Sequence, residues 1–180
     1  MERASPGLAA LFGAMKDDGR HSILDLGDAN HQHLSVLSPY ARRMRFAGLV
    51  PEPPVGDAFG RTVAALPPHP EQPYDVVLAW DVFDRLDPDD RTKLMRRLVE
   101  ITAPHARLYA AVDVSGEPVI QPARITLVSA DRIAQEVVGP PATAKPQLLP
   151  AQAERLLSPF VVNQAFSLRV GVREYVATRE

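Results

Sequence analysis

The sequence predicts an α/β fold: a mostly parallel, twisted sheet flanked by helices and finished by a C-terminal antiparallel hairpin. Three observations carry this. Strand-like and helix-like segments alternate from about residue 21 to residue 112, the pattern of parallel strands joined by crossover helices. Tyr74-Asp75-Val76-Val77-Leu78-Ala79-Trp80 is an almost unbroken apolar run, as expected of a strand buried on both faces in the middle of a parallel sheet. Phe160–Val170 and Val172–Thr178 are two long β-like runs meeting at Gly171, most simply an antiparallel pair at the sheet's edge.

Each element follows from its own residues. Leu8, Leu11, Phe12 and Met15 recur at helical spacing and Gly19 follows, so residues 7–18 read as an amphipathic helix. His21–Leu26 is a short apolar run ending at Gly27, a strand that breaks into a loop. Residues 31–40 form a short helix with Leu34 and Leu37 inward, ended near Pro39. Arg43–Val50 begins with period-two alternation and reads as a second strand. Pro51, Pro53 and Pro54 forbid regular structure, residues 57–66 read as a helix through Phe59, Val63 and Leu66, and prolines 67, 68, 70 and 73 make a stiff linker. Asp87-Pro88-Asp89-Asp90 combines an Asp N-cap, proline at the first position and acids in the first turn, so a helix begins there. Leu94, Leu98 and Ile101 mark its buried face over residues 88–102, and Arg91, Lys93, Arg96 and Arg97 lie largely elsewhere. Arg107–Val112 is the next strand. Residues 124–128 and 133–138 flank Ser129-Ala130-Asp131-Arg132 as a hairpin inserted at about 124–138, residues 139–150 read as a proline-rich loop, and Ala151–Leu157 as a short helix.

Composition bounds the function. At 180 residues, 46% hydrophobic and 23% charged, the chain is expected to form a single domain over residues 1–180 with a proper core. Cysteine is absent, which excludes disulfides, Cys-ligated zinc, iron–sulfur clusters and thiol nucleophiles. The net charge is −2, so no global positive field draws in nucleic acid. Residues 1–90 carry 8 basic against 14 acidic side chains and residues 91–180 carry 12 against 8; only the second half leaves a nucleic-acid module as a distant third reading. No window approaches a spanning helix, the N-terminus lacks a signal-peptide core, and a cytoplasmic location is expected. Proline reaches 18 residues, twice the usual share of about 5%, which implies rigid joints between short elements.

The order of elements resembles the class I S-adenosylmethionine-dependent methyltransferases, a Rossmann-like fold with a reversed final hairpin. In that family the first strand ends in a D-x-G-x-G-x-G type loop. Here the segment is Asp25-Leu26-Gly27-Asp28-Ala29-Asn30-His31: Asp25 and Gly27 agree, Ala29 replaces the second glycine and His31 the third. Tyr74–Asp81 with Phe83–Asp87 resembles the fourth strand and its following loop, and Arg107–Val112 the fifth strand. Departures are as informative. The acid that holds the cofactor ribose at the end of the second strand has no counterpart in Phe46-Ala47-Gly48-Leu49, with Glu52 the nearest, across a proline; no clear third strand follows, so the sheet is expected to be one strand short; and the Asn-Pro-Pro-Tyr signature of amine-methylating members is absent after Trp80.

The resemblance implies that any cofactor is S-adenosylmethionine, contacted by Asp25, Gly27, Ala29, Gly48, Trp80 and Asp81. Ligands of open α/β sheets bind at the carboxyl ends of the strands, where Asp25, Asp28, Asp81 and Asp84 map. That acidic rim disfavours a pyrophosphate and tolerates a sulfonium, a cationic substrate or a basic partner. Asp25 either touches the cofactor or caps local backbone donors; Trp80 is core or pocket wall; His31 either blocks the pocket or offers a new polar contact. His31 and His33 would point about 200° apart on a helix and cannot chelate a metal together, so no metal is expected. Two functions stay open. The first is a methyltransferase-like pseudoenzyme with a degraded cofactor loop, working through a protein partner or as a homodimer, with the hairpin as an edge for self-association. The second is a working methyltransferase with a variant pocket, in which Asp81 or Asp84 faces the acceptor.

Overall fold

A computed structural model describes residues 1–49, 63, 66, 72–143 and 145–180. The helix expected at 57–66, the proline linker and Glu52 lie outside the described residues, apart from Val63 and Leu66, which are buried.

The chain opens with strand β1 (Glu2–Ala4) and helix α1 (Pro6–Gly13), followed by β2 (His21–Asp25), α2 (His31–Leu37), β3 (Ala41–Phe46) and β4 (Tyr74–Leu78). A 3-10 turn over Val82–Arg85 leads to α3 (Pro88–Ile101) and β5 (Thr102–Asp113). Then come β6 (Val119–Ile120), β7 (Ala123–Ser129), β8 (Arg132–Val137), β9 (Ala142–Thr143), α4 (Pro150–Leu157), β10 (Phe160–Ser167) and β11 (Val172–Arg179). Six strands form the main sheet in the order β10-β11-β5-β4-β2-β3. β3, β2, β4 and β5 are parallel neighbours, and β11 and β10 close the sheet antiparallel. Among the described residues no strand lies beyond β3.

β4 sits in the middle because its side chains serve two cores. Val77 packs with Leu94, Leu98 and Leu157 under α3 and α4, while Val76 and Leu78 pack with Leu8, Leu11 and Leu127 under α1 and the β7–β8 hairpin. β1 pairs along β8, giving a second sheet of order β1-β8-β7. β8 is therefore paired on both sides, and β1 and β7 form the two edges of that sheet among the described residues. No helix among the described residues is long and apolar enough to cross a membrane.

Several local expectations are corrected. α1 ends at Gly13, not residue 18: the chain tightens, with the Met15 N–H on the Phe12 carbonyl at 3.0 Å, and Met15 is buried from that turn. On α2, Leu37 is buried as expected but Leu34 is 40% exposed, and His33 faces inward instead. Arg91, expected to lie largely off the buried face of α3, is buried, with Nε donating to the Phe83 carbonyl at 2.7 Å and a terminal nitrogen to the Pro146 carbonyl at 2.6 Å. Asp87 occupies the N-cap position without a side-chain cap bond and pairs with Lys145 at 3.0 Å. The stretch 139–150 is not all loop, since β9 pairs with β6.

Candidate functional site

Two clusters lie at the carboxyl edge of the main sheet. The first is the turn after β2. Asp25 is buried and its carboxylate accepts three hydrogen bonds: the Gly27 N–H at 2.8 Å, the Trp80 indole N–H at 2.6 Å and His33 Nδ1 at 2.8 Å. Asn30 caps α2 by accepting the His33 N–H at 2.8 Å, and that register turns the imidazole toward Asp25. The rings of His33 and Trp80 lie 5.2 Å apart and Trp80 meets Tyr109 edge-on at 5.7 Å. Trp80 takes up a left-handed backbone, φ 49°, a conformation that costs a non-glycine residue roughly 1–2 kcal/mol. Its indole is thereby laid against Gly27: a Cβ built there would come 3.3 Å from Trp80 Cδ1 and 3.1 Å from Asp25 Oδ1. The backbone beyond β3 is laced to the same turn, with Ala47 N–H on the Asp25 carbonyl, Gly48 N–H on Gly27 and Leu49 N–H on Leu26 at 2.8, 3.1 and 2.8 Å. Gly48 has φ +61°, which favours glycine.

Asp25, Gly27, Gly48 and Trp80 therefore come together as expected, and Trp80 is core, 2% exposed. Ala29 and His31 are exposed and fill nothing over Gly27; the imidazole beside the turn is that of His33. The signal for His33 was present in the sequence, because Leu37 is one helical turn further on and fixes which face of the helix is inward. Asp25→Asn should cost about 1–2 kcal/mol in chemical denaturation, since the amide cannot accept from all three donors; equal stability of variant and parent would contradict the assigned bonding.

The second cluster is a trough between the 3-10 turn, the end of β5 and the β6–β9 pair. Asp81 belongs here and not with Gly27: its carboxylate pairs with Arg85 at 2.6 Å, and it lines a cavity of about 190 Å³ together with Asp84 and Asp113. Asp84 and Asp113 also line an adjoining cavity of about 320 Å³ with Arg91, Glu117 and Lys145. Asp84 is fixed by the Asp113 N–H at 2.8 Å. Burial pushes its carboxyl from the ordinary 3.8 up to about 7, and the like charges of Asp81 and Asp113 add to the rise, against the Asp113 N–H and Arg91. Burial also lowers the Arg91 guanidinium. Asp113, Glu117 and Lys145 were not singled out from the sequence, although an acid closing the apolar run of β5 repeats the pattern of Asp25 closing β2. A carboxyl poised near neutrality in a cleft is suited to hold a cation or to move a proton.

This architecture is that of the class I S-adenosylmethionine-dependent methyltransferases. No protein-family model matches the sequence, and neither does any curated protein. Among solved structures, the chain is similar to the Burkholderia thailandensis 1,6-didemethyltoxoflavin-N1-methyltransferase with bound 1,6-didemethyltoxoflavin and S-adenosylhomocysteine, at TM-score 0.56 and 17% identity, covering 97% of this chain and 76% of that one. It is also similar to the N-methyltransferase NodS from Bradyrhizobium japonicum in complex with S-adenosylhomocysteine, at TM-score 0.55 and 11% identity over 97% and 88% of the two chains. The glycopeptide N-methyltransferase MtfA complexed with S-adenosylhomocysteine matches at TM-score 0.52 and 13% identity over 97% and 89%.

Proposed function

We propose that this chain is a methyltransferase-fold binding protein: the turn after β2 is closed to S-adenosylmethionine, and the protein works by holding a ligand or partner, with weak or no methyl transfer. The observation that carries this is the Trp80 indole beside Gly27, so close that a Cβ added to the glycine would come 3.3 Å from it. That contact supports a turn with little room beside Gly27 for a ribose or an adenine. The Asp25 carboxylate is engaged by three donors of the protein itself, and residues 46–49 offer no carboxylate to a ribose. Together these features support a turn that excludes the nucleoside.

A second reading, a working methyltransferase with a variant pocket, is favoured by Asp84, whose carboxyl stands near 7 in the trough. There it would take the proton that an acceptor sheds.

One titration separates the two. Trp80 is the sole tryptophan and sits at the turn, so its fluorescence reports on that site. S-adenosylmethionine and S-adenosylhomocysteine at millimolar concentration are expected to change neither this fluorescence nor the melting temperature. A saturable response, approaching the stabilisation of about 2.7 kcal/mol that any ligand confers at 100 times its Kd, would replace the first reading with the second.

A further inference from the structure

We propose that two copies of this chain pair through β10, strand against strand about a two-fold axis, so that their main sheets join into one. The second copy is thus a partner for the proposed binding protein, and the pairing does not depend on whether the turn after β2 admits S-adenosylmethionine.

An edge strand presents unpaired N–H and C=O groups, and proteins guard such edges with charge, brevity or cover. β3, at one end of the main sheet, carries Arg42, Arg43 and Arg45. In the smaller sheet β1 has three residues, and α2 packs against β7. β6 and β9 have two residues each. β10, at the other end of the main sheet, is guarded in none of these ways. It runs for eight residues with no strand beyond it among the described residues, and no residue between Arg155 and Arg169 is charged. Val161 on this strand is 44% exposed, an apolar side chain left uncovered beside open backbone.

The ladder to β11 sets the register. The Leu168 N–H donates to the Val172 carbonyl at 2.8 Å and the Glu180 N–H to the Pro159 carbonyl at 3.2 Å. Facing residues of an antiparallel pair alternate between bonded and non-bonded, so Phe160, Val162, Ala165 and Ser167 turn their backbone groups away from β11. That set is symmetric about the point between Asn163 and Gln164, where β10 carries its bulge. A two-fold axis at this point sets Phe160 opposite Ser167 of the second copy and Val162 opposite Ala165, with the two bulges side by side. Val161 then faces Phe166 of the second copy, an apolar cross-strand pair that stabilises a sheet. Two identical strands meet here without charge repulsion, whereas an acidic or basic segment would find no counter-charge on β10. The contact is isologous, so it closes as a dimer and does not propagate.

The test is sedimentation of the full chain from about 1 to about 300 µM, which covers micromolar Kd values. A reversible dimer is expected. Gln164 is exposed and lies beside the axis, so Gln164→Lys brings two ammonium groups together; it is expected to raise the dimer Kd about tenfold or more and to leave the far-ultraviolet circular dichroism unchanged. A second readout uses the absence of cysteine. Val161→Cys and Phe166→Cys in one chain place two thiols five residues apart on a strand, roughly 15 Å, beyond the reach of a disulfide. A bridge between them therefore joins two chains, and mild oxidation is expected to give a covalent dimer that the added Gln164→Lys suppresses. A chain that stays monomeric at about 300 µM overturns the inference. So does a dimer whose Kd Gln164→Lys leaves unchanged, or one that yields no bridged chains. The adenosyl titration reads a different site: binding of S-adenosylmethionine overturns the closed turn and leaves the dimer standing, and a monomer overturns the dimer and leaves the closed turn.

Discussion

Glu174→Ala is expected to lower stability by about 3–5 kcal/mol, the usual cost of removing one partner of a buried charged pair, and to release the N-terminal segment from the main sheet. Glu174 lies on β11 with no solvent exposure. Its carboxylate accepts from Arg3 at 2.7 Å, from the Ser5 hydroxyl at 3.0 and 2.9 Å and from the Gly7 N–H at 2.8 Å. Three residues of one short stretch thus converge on one side chain about 170 positions away. The first turn of α1 has no acid of its own, so Glu174 also supplies the negative charge that a helix N-terminus favours. Gly7 is the residue that admits it, since a Cβ there would come 2.9 Å from the Glu174 side chain and 3.0 Å from Tyr109. Removing the carboxylate strands the buried Ser5 hydroxyl and Gly7 amide and leaves the part-buried Arg3 guanidinium without its ion pair. Because β1 forms the edge of the β1-β8-β7 sheet, the loss should spread to the hairpin beside the trough. Urea denaturation gives the magnitude, and amide exchange should rise first in residues 2–8 and 132–134. Glu174→Gln keeps an acceptor and should cost roughly half as much. A Glu174→Ala variant within about 1 kcal/mol of the parent would mean that the clamp contributes little.

The pattern of what could be read from the sequence follows from the range of the forces involved. β4 and β5 were legible because a strand buried on two faces must be apolar at nearly every position, and that pattern is local. α3 was legible from its proline and acids at the start and its Leu94–Leu98 spacing. β1 was not: three residues, Glu2–Ala4, carry no periodicity, and they form a strand only because β8 offers them a ladder. Arg91 falls outside the apolar stripe of α3 in the sequence, and it is buried because the Phe83 carbonyl of the preceding 3-10 turn and the Pro146 carbonyl meet its guanidinium. In the first cluster, Asp25, Gly27 and Trp80 meet around one turn. The filling of the turn was expected from Ala29 and His31, whereas it comes from Trp80, whose unusual φ no sequence pattern announces, and from His33. The trough was half legible, through Asp81 and Asp84; Asp113 and Glu117 join them only when β5 runs its full length to the edge.

Asp84→Asn should change how stability depends on pH. The folded protein keeps its proton on Asp84 up to about pH 7, while the ordinary value for the unfolded chain is 3.8. Between those values the folded state binds more protons than the unfolded one, so the Asp84 contribution makes stability fall as pH rises from about 4 to about 7. Above pH 7 both states are ionised and the penalty stays constant. Asparagine keeps an oxygen for the Asp113 N–H and carries no charge against Asp81 and Asp113, so the variant should lose this slope. Its advantage over the parent should be small near pH 4 and reach roughly 2–3 kcal/mol at pH 8, the shift being discounted for partial exposure of the carboxyl. Urea denaturation of both proteins at pH 4.5, 6 and 8 reads the difference, in which the titrating groups not coupled to Asp84 cancel. Parallel curves would show that Asp84 ionises like a surface acid.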